Sequence, residues 1–529
     1  MVNSSRWQVE NSVFWQQQGA AVALQNHRLL TLNLVIGFAL WMIWSVLSIE
    51  LIHLGYPFTV HDLFSLLAIA GFSGASLRIA GGMLGLISGT RASIMASGLL
   101  LLLFILALWW ALQSLSTPLW VFQVLALLSG VGAGCFSLAV THLSYLYPAR
   151  EQSLMQDVNA GIGNAGVSVV QILLPIGWVW GGWAWFGLES HTLIQVGGNV
   201  LGRLPIGTLV WPSALALMWG VPLLVLSIFL LKATPVYYAP SGGRYGGRDW
   251  DAQHLVRFWL VYGVIFLISA AALGVSLDHF KLGLSNELVI LVTVVSITLL
   301  LRYVPGLSTQ ERERYYRIFS NRQLYVSGLM YMTSFGSFVG FALTFPLLTY
   351  VVFGFQQQWV EGEWLRQPNA VSPNILMYAW LPPLLAVLSR ALGVWMAGLF
   401  GSFRITQIAV SGMLLAAIGL SVVLHYAYQA LQPEPYFVAY FLLFLCLFAM
   451  IGLANGAIFK SFFQVFPQGS RTHSVVWIAS VACYGAYYIP QVFSQHLLTG
   501  SLDIAMLGFA IFYLLSLLLH HFFHRYGLR

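Results

Sequence analysis

Three cationic side chains fall inside long apolar runs of this sequence: Arg78, Arg390 and Lys460. A charge near the middle of a membrane helix costs about 2.5–3.5 kcal/mol to insert, so such residues face a polar pathway or a counter-charge. Glu50, Asp62 and Asp157 all fall near the ends of apolar runs, which leaves no mid-run carboxylate for the arginines. Two unpaired cations facing one cavity repel by roughly 4 kcal/mol at about 4 Å and an effective dielectric near 20, and an anion between them relieves that repulsion. A structural salt bridge is the competing reading. The rigid guanidinium fork suits a small planar oxyanion that accepts paired hydrogen bonds in its own plane, whereas lysine offers only a point charge. Selectivity for planarity needs walls above and below the anion, and Phe38, Phe136, Tyr331 and Phe335 are candidates, although in a chain that is 15% aromatic ordinary packing competes with that role. Lys460 reads either as a third cation beside the site or as a side chain snorkelling along its stem to the membrane surface. His142 is titratable near neutrality, against which stands a plain interfacial hydrogen bond.

Residues of this kind need an apolar scaffold to hold them, and the composition supplies one. The 529 residues are 59% hydrophobic and only 7% charged, more apolar surface than a soluble core absorbs. Runs of about 18 or more apolar residues recur along the whole chain, each long enough to cross the hydrocarbon layer as a helix. The runs are continuous rather than alternating, which excludes a strand barrel and predicts an all-α integral membrane protein. About fourteen spans are expected, near 30–52, 62–87, 92–113, 119–146, 157–183, 211–231, 257–276, 286–304, 324–353, 374–400, 405–428, 436–464, 473–495 and 503–523. They divide into a cytoplasmic N-terminal segment (1–29), a six-helix bundle (30–234), linkers with two extra helices (235–323) and a second six-helix bundle (324–529). Cys135, Cys446 and Cys483 all lie in apolar runs and read as core residues, with neither a disulfide framework nor metal-ligand spacing. The first 28 residues lack the apolar core of a cleavable signal, so the first span is expected to direct insertion and the chain to be used whole.

Charge placement sets an orientation. With the N-terminus inside, the 23 Lys and Arg fall on the inner side apart from the three mid-run cations and Arg203, Lys281 and Arg366, the asymmetry expected of cytoplasmic loops. Both termini are then cytoplasmic, and the net charge of +7 reflects topology and the anionic inner leaflet rather than nucleic-acid binding. The stretch from Tyr237 to Gln253, rich in Gly and charge, is a linker, and Ser308 to Gln323 reads as a surface helix. An internal repeat joins the halves: Arg78, Gly81, Gly89 and Arg91 match Arg390, Gly393, Gly401 and Arg404 with a one-residue slip at the last. Internal symmetry between six-helix halves is a property of alternating-access transporters.

Longer motifs carry a resemblance. "GVGAGCFSLAVTHLSYLYPAREQSLMQDVNAGIGNAGVSVVQ", Gly130 to Gln171, resembles the signature of nitrate/nitrite porters, the NarK-type branch of the major facilitator superfamily. Gly74 to Gly82, Tyr331 to Phe341, Leu388 to Val394 and Gly452 to Pro467 extend the likeness over nearly all of the chain except 235–323. It implies a major facilitator fold of two six-helix halves, here with two added helices, and transport of nitrate and nitrite with no cofactor. It also implies that Arg78 and Arg390 bind the anion, that Phe38, Phe136, Tyr331 and Phe335 surround it, and that Asn164 contacts it, with Asn159 in the same signature. Departures are Cys135 where the family usually has Asn, His142 at another common Asn position, and Lys460 where one branch has Gln.

The mechanism expected is alternating access with exchange of nitrate for nitrite, because empty facing cations resist closure and a bound anion offsets them. Proton-coupled symport, with His142 or Lys460 as the titrating group, and transport of another small anion stay open. A passive anion channel would lack trans-stimulated exchange, and a drug exporter would want an acidic residue where this chain has arginines. A membrane enzyme would need His, Asp or Glu clustered at one depth, for which His520, His521 and His524 at the end of the last span are the nearest approach. The expected setting is the inner membrane. The sequence leaves the oligomeric state open.

Overall fold

A computed structural model describes residues 7–232, 252–277, 285–305, 307, 309–360 and 363–526. Most of the Gly- and charge-rich linker, with Arg244 and Arg248, lies outside the described residues, as do Arg6, Lys281 and Arg529 and the side chains of Arg91, Lys232, His524 and Arg525. Fourteen helices among the described residues are long and apolar enough to cross a membrane. The first six are α1 (Ser12–Leu54), α2 (Val60–Ser88), α3 (Ala92–Ala111), α4 (Leu119–Leu146), α5 (Ala149–Trp178) and α6 (Pro212–Leu230). The extra pair is α7 (Val256–Ser276) and α8 (Asn286–Tyr303), followed by the short polar α9 (Thr309–Arg317). The last six are α10 (Arg322–Phe353), α11 (Ile375–Phe400), α12 (Ser402–Gln429), α13 (Glu434–Val465), α14 (Gln468–Leu498) and α15 (Leu502–Phe523). This is the expected order of six, two and six, with the surface helix where the second linker was read.

Local chemistry explains the boundaries. Thr59 and Asp62 form a reciprocal capping box that starts α2, satisfying donors a helix end would otherwise leave bare in lipid. Pro148 and Pro467 occupy the same N-cap position of α5 and α14 with nearly the same backbone angles. The internal repeat is visible in the backbone as well. Gly89 and Gly401 both end their helices at positive φ, 78° and 86°, with ψ of 139° and 140°, a conformation that costs other residues a steric penalty.

Several spans are interrupted near mid-depth. α1 breaks at Met42 and Ile43, α4 at Gly130, and α14 at Cys483 and Tyr484, while α10 contains a π-helical turn over Met332–Gly336. Such turns free backbone groups and re-aim side chains, and they recur where function requires it.

α2 is the central element, buried along its apolar length, with α4 of its own half on one side and α14 of the other half on another. Small residues permit that approach: a Cβ at Gly71 would stand 2.2 Å from the Ala486 carbonyl carbon, and one at Gly82 would stand 2.7 Å from Val476. The extra pair packs on α2 and α3 from outside. Tyr262 of α7 keys into the position where a Cβ on Gly134 would otherwise stand, 2.7 Å from its hydroxyl. At the end of the bundle opposite the termini, Ser276 bonds Tyr487, Tyr487 donates to Asn286 at 2.8 Å, and Tyr488 donates to Glu287 at 2.7 Å. The added helices thus touch both halves.

That far end is further closed by polar contacts between loops and between helix ends. Asn374 donates to the Asn199 carbonyl at 3.0 Å, Arg203 to the Val371 carbonyl at 3.3 Å, and His61 pairs with Ser494 at 2.8 Å. At the other end, Gly82 meets Val476 and Asp157 meets Arg390. With the halves in contact above and below, Arg78 is 0% and Arg390 2% exposed.

Candidate functional site

Arg78 sits mid-way along α2 in an aromatic cage. Its guanidinium carbon lies 4.1 Å from the Phe136 ring centre, 4.9 Å from Phe335 and 5.8 Å from Phe38. These rings are supplied by three different helices. Phe136 is drawn in where α4 crosses α2 at Gly81, a crossing fixed by the Ser137 hydroxyl donating to the Arg78 carbonyl at 2.9 Å. Phe38 follows Gly37, whose missing side chain lets α1 approach Gly132. Phe335 is aimed by the π-helical turn of α10. Desolvated cation–π contacts of this kind contribute about 2 kcal/mol or more.

The ring faces cannot satisfy the guanidinium edge. Nη1 donates to the Cys483 sulfur at 3.4 Å, a weak acceptor, whereas Nε and Nη2 are buried without a partner. Among the described residues no carboxylate pairs with Arg78. The Thr59 cap holds Asp62 and Glu50 faces His53 at 3.3 Å. Buried charged donors left unmet are costly, so the cage has the chemistry of a site waiting for a planar acceptor.

Arg390, the repeat-related residue on α11, has different company. Asp157 Oδ1 accepts from Nη2 at 2.7 Å and from Nε at 3.2 Å, Asn455 Oδ1 accepts from Nη1 at 2.8 Å, and the Phe459 ring lies 4.9 Å beneath. This corrects the expectation of two unpaired cations. α5 begins at Ala149, so Asp157 lies two turns inside the helix rather than at its edge, and Gly161 one turn further on leaves room for the Arg390 stem.

Tyr331 joins the two arginines. It stacks on Phe335 of the Arg78 cage at 5.3 Å and 9°, and its ring lies 6.2 Å from that of Phe459, which underlies Arg390. The structure therefore brings together Arg78, Arg390, Phe38, Phe136, Tyr331 and Phe335. Asn164 is buried on the same face of α5 as Asp157, two turns further along. Asn159 is tied to α1 through its Oδ1, which accepts from Thr31 at 2.9 Å, while its Nδ2 is buried without a partner. Gln171 ties Ser45 of α1 to the Ala342 carbonyl of α10, at 3.1 and 3.2 Å.

The two candidate titrating residues lie off the cage. Lys460 follows Phe459 on α13 but turns away to donate to the Val394 carbonyl at 3.2 Å, in space left by Gly398. His142 is half-buried in the last turns of α4. Of the cysteines, Cys135 and Cys483 are buried, but Cys446 is exposed on the outside of α13, so it is not the core residue expected. Asp157, Asn455, Phe459 and Cys483 were missed by sequence reasoning. Phe459 closes the stretch "GLANGAIF" as Phe136 closes the one-residue-shorter "GVGAGCF", a likeness that would have flagged the former.

No family model matches the chain. It is 28% identical over 520 residues to the probable nitrate/nitrite antiporter NarK2 of Thermus thermophilus, covering 98% of this chain and 95% of that one. It is 26% identical to the nitrate/nitrite transporter NarU of Salmonella typhimurium and 25% to NarU of Escherichia coli, in each case over 97% of this chain and 94% of the relative. Among solved structures, the proton:xylose symporter XylE bound to 6-bromo-6-deoxy-D-glucose superposes with a TM-score of 0.55 at 14% identity, covering 96% of both chains. A transporter of the POT family in complex with a thioalcohol-conjugated peptide also gives 0.55 at 14%, over 93% of this chain and 96% of that one. The chain therefore has the fold of the major facilitator superfamily and is similar, along nearly its whole length, to that superfamily's nitrate/nitrite transporters.

Proposed function

We propose that the protein is a secondary transporter that exchanges nitrate and nitrite across the cytoplasmic membrane by alternating access, with both termini cytoplasmic. The observation that carries this reading is Arg78: a fully buried guanidinium with two donors unmet and aromatic rings around it. A planar monovalent oxyanion accepts in the guanidinium plane while Phe136 and Phe335 exclude water and rounder ions. Arg390 and Tyr331 meet the anion from the other half of the molecule, and Asn164 adds a neutral donor that does not deepen the electrostatic trap. Named relatives that carry nitrate and nitrite, at 25–28% identity, support the substrate class.

Exchange follows from charge. An empty cage that closes must bury the Arg78 cation without its anion, which makes return with a second anion aboard the faster route. The test is counterflow: proteoliposomes loaded with nitrite should accumulate labelled nitrate without an imposed pH gradient, saturably and many times faster than vesicles with no permeant anion inside. Absence of trans-stimulation, or equal stimulation by chloride and sulfate, would remove the assignment.

A further inference from the structure

The two arginines do not share one anion problem, because Arg390 already holds an anion of the protein's own. Asp157 belongs to the first half and Arg390 to the second, so their ion pair at 2.7 Å spans the interface whose two sides must part during transport. Glu50, Asp62, Glu287 and Asp503 are engaged at helix ends, with His53, the Thr59 cap, Tyr488 and His425 respectively. Among the described residues, Asp157 is the carboxylate bonded to Arg390. A single oxygen, Oδ1, takes the Nε and Nη2 donors of Arg390. That is the place, and the kind of acceptor, that a transported oxyanion requires.

We propose that Asp157 is a resident counter-anion: it occupies Arg390 when no substrate is bound and lets the empty protein close and return, giving a slow net flux beside exchange. The inference rests on the exchange reading above. An arriving anion competes with the carboxylate for the Nε and Nη2 edge, and the displaced Asp157 stays with its own half. When the anion leaves, the carboxylate re-engages Arg390 and only the Arg78 charge remains uncompensated in the closed state. Asp157 thereby sets two quantities with opposite sign, weakening apparent affinity through competition and permitting substrate-free return. A merely structural salt bridge would not divide its effect in this way.

The experiment uses the full chain in proteoliposomes with equal pH on both sides and the potential clamped by potassium and valinomycin. Labelled nitrate entry is compared with nitrite inside, which reports counterflow, and with only impermeant gluconate inside, which reports net flux. Wild type should show both. Asp157→Asn should keep counterflow with KM lowered about threefold or more, since the competing state is gone, and should lose net flux at least tenfold. Asp157→Glu should retain net flux. Net flux in Asp157→Asn equal to wild type would overturn the proposal, as would loss of its counterflow, which would make the carboxylate essential to the loaded carrier. Wild-type counterflow with no net flux would overturn it too while leaving the exchange assignment intact. Absence of counterflow in wild type itself would instead defeat the exchange assignment.

Discussion

Arg78 and Arg390 occupy matching places in the two halves, yet one is starved of acceptors and the other is saturated. Around Arg78 the neighbours are three aromatic faces and a sulfur; around Arg390 they are a carboxylate, an amide oxygen and one aromatic face. The halves are related in backbone, down to the positive-φ glycines that end α2 and α11. Symmetry therefore built two positions for a buried cation, and side-chain divergence assigned them different work. Arg78 is held by ring faces and one weak bond from Nη1 to sulfur, which leaves the Nε and Nη2 donors unmet. Arg390 is held by bonds to Asp157 and Asn455, which a substrate anion, on the reading proposed above, would replace.

The comparison breaks most visibly at Arg78. Arg78→Lys keeps the charge but loses the planar fork and most of the ring stacking, and nitrate counterflow should fall about a hundredfold or more, roughly 2.7 kcal/mol of lost stabilisation. Near-normal initial rates in proteoliposomes would refute the in-plane model of binding. Arg390→Lys should also impair transport severely, by about thirtyfold, but less than at Arg78 because Asp157 and Asn455 can still orient an ammonium. A larger loss than in Arg78→Lys would invert the assignment of roles. Phe136→Leu removes the nearest ring while keeping bulk and should raise the nitrate KM about tenfold, in line with one desolvated cation–π contact. The ratio of nitrate to a tetrahedral anion in competition assays should drop with it. The smallest effect is expected at Asn159, whose bond to Thr31 is a neutral pair between helices. Asn159→Ala should lower thermal stability in detergent by about 1 kcal/mol and leave the KM within about twofold. A KM change above tenfold there, matching that of Asn164→Ala, would bring Asn159 back into the anion site.

Fold and site were legible in the sequence to different degrees, for physical reasons. Spans stand out because a helix in lipid must be apolar over a fixed length, and each of the fourteen lies within a few residues of its expected place apart from the N-terminal starts of α1 and α5. Arg78 and Arg390 stand out because charge in such runs is costly. Asp157 did not, because the stretch from Arg150 to Gln156 is polar enough to look like a loop when it is the first two turns of α5. The membrane boundary was drawn from hydropathy, and a helix that enters the protein interior rather than lipid does not obey it. The aromatic cage was visible only through family resemblance, since nothing in spacing distinguishes Phe136 from the other phenylalanines of so aromatic a chain. Cys483 needed the structure outright, as its contact with Arg78 depends on the geometry of a break in α14, which Gly485 beside it does not specify.

The added pair α7 and α8 has a mechanical consequence. It leans on α2 and is keyed against Gly134 in the first half, while Ser276, Asn286 and Glu287 hold Tyr487 and Tyr488 of α14 in the second. Opening the far end must break those bonds, at roughly 1 kcal/mol net apiece, enough together to shift a two-state population by about a hundredfold. In the transport cycle proposed above, the pair would act as a return spring fitted to one side of the hinge, storing work when the far mouth gapes and giving it back on closing.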